Sequence, residues 1–249
     1  MSGHSKWATI KRKKGAADAK RGQLFSKLSR AILVAAKEGG PDPESNATLA
    51  AAIQKARDSS MPKDNIERAI QRGAGGGEAD TYESMLYEGY APGGVAVIAS
   101  ILTDNRNRTA ADLRHIFTKN GGSLGTPGSV AWQFDRKGVI LVDREGVDED
   151  ELMELALAGG AEDIAEDGTQ WQVTTDPADF MAVRGALEEG GVAYSSAEQT
   201  MVPKSTVEVS EKEARQILRL IDELEDNDDV QGVYANFDIS EEVLEAVAS

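Results

Sequence analysis

The sequence predicts an α+β protein of three domains: an N-terminal three-helix domain and two mixed α/β domains, one ferredoxin-like (βαββαβ) and inserted in the other. Three observations carry that prediction. Apolar residues recur at helical spacing up to residue 72, where the run Gly73-Ala74-Gly75-Gly76-Gly77 interrupts them. Beyond it, short strand-like runs alternate with helical ones. At 249 residues the chain is also long for a single core. The expected boundaries are 1–77 for the basic helical domain with a flexible arm, 78–135 with 204–249 for one α/β domain, and 136–203 for the insert.

The elements follow in order. A helix is expected over 18–38, with Leu24, Phe25, Leu28, Ile32, Ala35 and Ala36 on one face and Gly39-Gly40-Pro41 as its stop. A second, Ala-rich helix spans 46–59. A third follows Ser60 as a cap and Pro62 near its first turn, buries Ile66, Ala69 and Ile70, and ends at Gly73. Strands at 82–90 and 95–103 flank the turn Ala91-Pro92-Gly93-Gly94. A helix over 108–119 stops at Gly121-Gly122, and a strand covers 129–135. Strand 139–142, helix 148–157, strands 161–166 and 170–175, helix 177–189 and strand 193–201 make the βαββαβ unit. Helix 211–224, strand 230–237 and a short terminal helix complete the outer sheet.

Charge divides the chain. Residues 1–72 hold 15 Lys and Arg against 7 Asp and Glu, a balance of +8; the remainder holds 12 against 36, a balance of −24. Within 6–30 there are nine cations and one acid, Asp18. Such a split fits one basic end built for polyanions and a body that repels them. The cluster Lys11-Arg12-Lys13-Lys14 follows Lys6 and Trp7, an arrangement that neutralises phosphates and lets an indole stack on an unpaired base. At about 100° per residue, Lys20, Lys27, Arg30 and Lys37 share one arc of the first helix, and Arg21 follows Lys20 in sequence. The third helix adds Lys63, Asn65, Arg68 and Arg72. The candidate nucleic-acid contacts are therefore Lys6, Trp7, Lys11, Arg12, Lys13, Lys14, Lys20, Arg21, Lys27 and Arg30. The solvated-face alternative accounts less well for charge of this density.

A second contact is open at Met61, Lys63, Arg106 and Arg108. Thr103-Asp104-Asn105-Arg106-Asn107-Arg108-Thr109 joins a strand to a helix start, where free amides favour anions. Either the two arginines clamp phosphate, or Asp104 or Asn107 caps the helix and the arginines pair with the acidic body. The glycine-rich loop 121–129 is a contact loop or a plain connection. The run Glu225-Asp226-Asn227-Asp228-Asp229 lacks calcium-loop spacing and reads as a solvated turn.

Several classes fall away. With no cysteine there is no disulfide, thiolate zinc site or iron–sulfur cluster. The two histidines, His4 and His115, lack ligand spacing, and no hydrolase, Walker or dinucleotide motif occurs. No catalytic residue, metal or cofactor is expected, no run is long enough for a membrane span, and the cytoplasm is the expected compartment.

Gly3-His4-Ser5-Lys6-Trp7, Asp18-Ala19-Lys20-Arg21-Gly22, Met61-Pro62-Lys63-Asp64-Asn65-Ile66, Leu102-Thr103-Asp104-Asn105-Arg106-Asn107-Arg108-Thr109, Lys119-Asn120-Gly121-Gly122 and Leu224-Glu225-Asp226-Asn227-Asp228-Asp229-Val230-Gln231 run from end to end of the chain. In these the sequence resembles the YebC/PmpR family, which includes the mitochondrial translational activator of cytochrome c oxidase subunit I. The resemblance implies three domains around a cleft and a cytoplasmic role in gene expression without catalysis. It implies either a DNA-binding transcriptional regulator or a ribosome-associated translation factor on ribosomal RNA. A protein-interaction adaptor built on the acidic body is a third reading. The sequence departs from the family pattern at Asn46-Ala47-Thr48-Leu49-Ala50, where a proline and an arginine are usual, and at Arg12 and Gly15 in the arm.

Overall fold

The computed structural model describes residues 18–75, 82–240, 242, 243 and 246. They form two compact units, residues 132–206 and the segments on either side of them.

In the flanking unit, α1 (Asp18–Gly39), α2 (Ala47–Asp58) and α3 (Lys63–Ala74) come first. Leu28, Ile32, Ala35 and Ala36 of α1 pack on Leu49, Ile53 and Ala56 of α2 and on Ile66 and Ala69 of α3. Each large apolar side chain buried this way stabilises by about 1.5–3 kcal/mol. The expected apolar face of α1 holds except at Leu24, which is 41% exposed. A second face, not anticipated, buries Leu33 and Val34 against Leu102 and Tyr82 of the sheet region. Asn46 is the joint between the first two helices. Its Oδ1 accepts from the Leu49 amide (3.0 Å), capping α2, while its Nδ2 donates to the carbonyls of Ala35 and Gly40 (both 2.8 Å) at the end of α1. The cap expected at Ser60 is absent. Ser60 sits at φ +58° and α3 starts after Pro62, whose missing N–H costs nothing there.

β1 (Glu83–Tyr90) and β2 (Ala96–Thr103) form the expected hairpin around the turn at 92–94. After α4 (Arg106–Lys119) and β3 (Ser123–Leu124) the chain leaves for the other unit, then returns through β8 (Val207–Glu208), α7 (Glu211–Glu225), β9 (Val230–Ala235) and β10 (Phe237–Asp238). β9 pairs antiparallel with β2, Val97 opposite Ala235, giving the order β3-β1-β2-β9. Val97, Ala99 and Ile101 pack against Leu113 and Phe117 of α4 and Ile217, Leu220, Ile221 and Leu224 of α7. Ser210 and Glu213 form a reciprocal capping box that starts α7.

The other unit runs β4 (Phe134–Asp143), α5 (Glu149–Ala158), β5 (Ala161–Asp167), β6 (Gln170–Thr175), α6 (Phe180–Glu189), β7 (Ser196–Pro203). Its sheet order β5-β6-β4-β7, with every neighbour antiparallel, is the ferredoxin-like arrangement. Two separate strands were expected at 129–135 and 139–142. Instead residues 131–133 form a 3-10 turn, with the amides of Val130 and Ala131 donating to Glu88, and β4 begins at Phe134 and continues through Gly138 to Asp143. Gly138 is where α6 presses onto the strand, since a Cβ there would overlap Thr175 Oγ1 and the Phe180 ring. Among the described residues no helix is long and apolar enough to cross a membrane.

Candidate nucleic-acid interface

The arm residues Lys6, Trp7, Lys11, Arg12, Lys13 and Lys14 lie outside the described residues, as does the side chain of Lys20. Arg21 is exposed, with its guanidinium 5.4 Å from the Phe25 ring centre. The rest of the expected ridge divides. Gln23, Lys27 and Arg30, at helical spacing on α1, reach three carbonyls at and just past the end of α7. Gln23 Nε2 is 2.5 Å from Asp226 O, Lys27 Nζ 2.5 Å from Glu225 O, and Arg30 Nη1 2.8 Å from Asp228 O. Helix C-termini carry unpaired carbonyls and partial negative charge, so two cations and an amide are apt partners. Burial lowers the Lys27 pKa, opposed by Glu225, Asp228 and Asp226. Lys27 and Arg30 therefore hold the helical segment onto the sheet region in this structure. An acidic run next to a basic helix face was the signal for this clasp, but only the topology brings the two together.

The acidic turn is not simply solvated. Asp229 is 6% exposed. Its Oδ2 lies 2.7 Å from Thr109 Oγ1, 2.9 Å from Arg108 Nη2 and 3.1 Å from Thr103 Oγ1, and its Oδ1 lies 3.4 Å from Arg30 Nη1. Burial alone would raise this carboxyl, but the bonds from Thr109, Arg108 and Thr103 outweigh it and hold the pKa below the usual aspartate range. Of the two readings of the Thr103–Thr109 segment, the structure supports pairing within the molecule for Arg108, which also meets Asp104 at 2.9 Å. The bond to Asp229 is the main reason its pKa is raised. The helix cap is neither Asp104 nor Asn107 but Asn105, whose Oδ1 accepts from the Arg108 amide at 3.1 Å. Arg106 remains exposed.

Met61, expected at the second contact, is buried in this structure. The left-handed turn at Ser60 directs it into the helical core, where it is 5% exposed, and its amide donates to Ala56 O at 2.9 Å. Lys63 is exposed and pairs loosely with Glu67 at 3.5 Å. The loop after Gly121-Gly122 is pinned by the buried Glu88. Its Oε1 accepts from the Gly128 amide (2.6 Å) and its Oε2 from those of Val130 and Ala131 (both 2.7 Å). Burial works against ionisation there, yet the three amides draw the pKa down.

Two clefts meet at Arg30 and Tyr82, whose cation–ring distance is 5.3 Å. One, of about 560 Å³, is lined by Asp104, Asp112, Asp226, Asp228 and Asp229 with Arg108 and Gln23. The other, of about 530 Å³, lies between α1 and α3 and is lined by Arg68, Arg72, Asn65, Phe25, Ser26 and Ser29. The first carries five carboxylates and two arginines, Arg30 and Arg108; the second carries Arg30, Arg68 and Arg72 and no carboxylate. Among the described residues no three His, Cys, Asp or Glu side chains converge as metal ligands.

Residues 5–76 match the TACO1/YebC protein N-terminal domain, and residues 82–237 match the TACO1/YebC second and third domain. The chain belongs to the TACO1/YebC family. Relatives in Rubrobacter xylanophilus (66% identical over 249 residues) and Desulfotalea psychrophila (56% over 249) align over the full length of both chains, and each carries the name "probable transcriptional regulatory protein". A crystal structure of a conserved hypothetical protein from Aquifex aeolicus is 49% identical and superposes with a TM-score of 0.80, covering 91% of this chain and 94% of that one. TACO1/YebC membership thus spans both the helical segment and the sheet units, as the dispersed motifs implied.

Proposed function

We propose that the protein is a cytoplasmic, non-catalytic regulator of transcription that binds nucleic acid through its basic N-terminal part. The names of its TACO1/YebC relatives support the regulatory role. The observation that carries the binding role is the asymmetry of charge: Arg68 and Arg72 line an open cleft at the helical end, while the chain beyond residue 72 has a balance of −24. The working domain assignment is 1–77, 78–135 with 204–249, and 136–203. In this reading the arm, from Lys6 and Trp7 through Lys11, Arg12, Lys13 and Lys14 to Lys20 and Arg21, supplies the main phosphate contacts. Lys63 and Arg106 extend them, and Lys27 and Arg30 join when the clasp opens.

The same charge asymmetry favours a second reading, a translational role on ribosomal RNA. An acidic body lies poorly along an extended duplex, whereas in a ribosomal crevice only one end needs to touch RNA.

The test is a salt titration of binding to labelled DNA and RNA. Five cations on a duplex give a slope near −4.5 in log K against log salt, about a 500-fold loss between 50 and 200 mM. Replacing Lys11, Arg12, Lys13 and Lys14 together by Ala is expected to remove about 3.6 from that slope and most of the affinity. An unchanged slope overturns the arm as the contact. Activity retained by a chain lacking residues 1–72 would favour the adaptor reading instead.

A further inference from the structure

We propose that the cleft between α1 and α3 is a pocket for one unpaired nucleotide, with Arg68 and Arg72 on the flanking phosphates. The proposal rests on the nucleic-acid reading above and narrows it to single-stranded or looped targets. The cleft's volume of about 530 Å³ sits within the roughly 300–1,000 Å³ of small-ligand sites. That is room for a nucleotide.

The lining is of the right chemistry. Arg68 and Arg72 lie four residues apart on α3, hence on one face with about 6 Å of rise between them, close to the spacing of successive phosphates along a strand. Arg68 is held in place: its Nε donates to Asp64 O (3.1 Å) and its Nη2 to Asn65 Oδ1 (2.7 Å). Its Nη1 hydrogens are left for an anion, and the Asn65 amide nitrogen for a base edge. Phe25 and Tyr82, both half-buried, supply ring surface, each with a guanidinium over it at 5.4 and 5.3 Å. Unstacked bases settle on such aromatic and guanidinium planes at about 1–3 kcal/mol per base.

Shape argues against duplex as the target. Readers of duplex DNA push a helix into a major groove about 12 Å wide. Here the cations of α3 converge on a concavity shared with α1, and a concave site cannot enter a groove. A base inside a duplex is stacked and paired, so it cannot enter the cleft either.

The test uses the full chain and a 12-nucleotide strand carrying a central 2-aminopurine, as RNA and as DNA, each single-stranded or annealed to its complement. Expected are at least tenfold tighter binding of a single strand than of its duplex, and a change in 2-aminopurine fluorescence on binding. The double variant Arg68→Ala/Arg72→Ala removes two exposed side chains, and a matching thermal melt establishes that it is folded. Losing two phosphate contacts lowers the salt slope by about 1.4 and the affinity about 25-fold at 0.1 M salt. Comparing RNA with DNA strands assigns the source of the nucleotide, and this preference for either one upholds the pocket. Equal binding of strand and duplex without a fluorescence change overturns the pocket, as does an unaffected double variant, while both leave nucleic-acid binding standing. Failure of every oligonucleotide to bind overturns both.

Discussion

Asp229 shows how much one carboxylate organises. It takes hydrogens from two threonines and one arginine on a single oxygen, and a second arginine approaches the other. Asp229 is buried but its partner Arg108 is half exposed, so the interaction is worth about the 1.5–3 kcal/mol of a hydrogen bond to a charged group. Asp229→Asn keeps one acceptor, so a loss of that size at neutral pH is expected, read from the urea midpoint. The pH dependence follows from the depressed pKa. The unfolded aspartate titrates near about 3.9, so its stabilisation is complete above that value and is lost as pH falls through the lower folded pKa. Below about pH 4 the gap between wild type and Asp229→Asn should therefore begin to narrow, and it closes once the pH is below the folded pKa. Glu88 acts similarly on its loop. Glu88→Gln offers one acceptor oxygen where three amides need two, so hydrogen exchange at Gly128, Val130 and Ala131 should quicken by about tenfold or more, the equivalent of one lost bond to a charged group. Neither role was legible in the sequence. Asp229 lies in a run of acids that looks solvated, and Glu88 is one glutamate in a strand. Their partners lie 120 and 40 residues away in sequence.

At the scale of elements, periodicity served well. The helices and most of the strands lie where the apolar spacing placed them, because each has a single face to bury. The misses come from elements with two demands. α1 buries Leu33 and Val34 in addition to its main stripe, since it packs on both a helical core and a sheet. Most of the strand expected at 129–135 is instead a turn, because the Val130 and Ala131 amides are taken by Glu88 and β4 starts only at Phe134. Gly73 presents a conflict of its own. Within α3 an alanine would raise helix propensity by about 1 kcal/mol. Yet its Cβ would overlap Leu33 O and sit 2.9 Å from the Ala36 methyl. α1 and α3 would have to separate, which costs about 1–3 kcal/mol. Gly73→Ala should lower the melting temperature by roughly 2–6 °C. A rise instead would mean that the helices part without cost.

For the molecule as a whole, the charge imbalance visible in the sequence locates the candidate interface at one end. It does not reveal that part of the basic ridge is engaged internally, because the partners of Lys27 and Arg30 at the end of α7 lie about 200 residues away in sequence. The ferredoxin-like unit was more legible, since its βαββαβ order appears uninterrupted in the chain. Its first and last strands are neighbours, with Phe134 opposite Pro203 and the Lys204 amide donating to Gln133 O at 2.8 Å. Bridging so small a gap with a few residues costs little loop entropy. A chain in which a short Gly-Ser linker joins Ala131 to Val207 should fold, as should residues 132–206 alone, each giving one cooperative melt by circular dichroism. Loss of the transition in either would show that the two cores depend on each other. To a genome, two adjoining chain ends make the unit a cassette. Recombination at two sites can gain, drop or exchange it without redesigning either core, and selection is free to act on residues 132–206 and on their host at different rates.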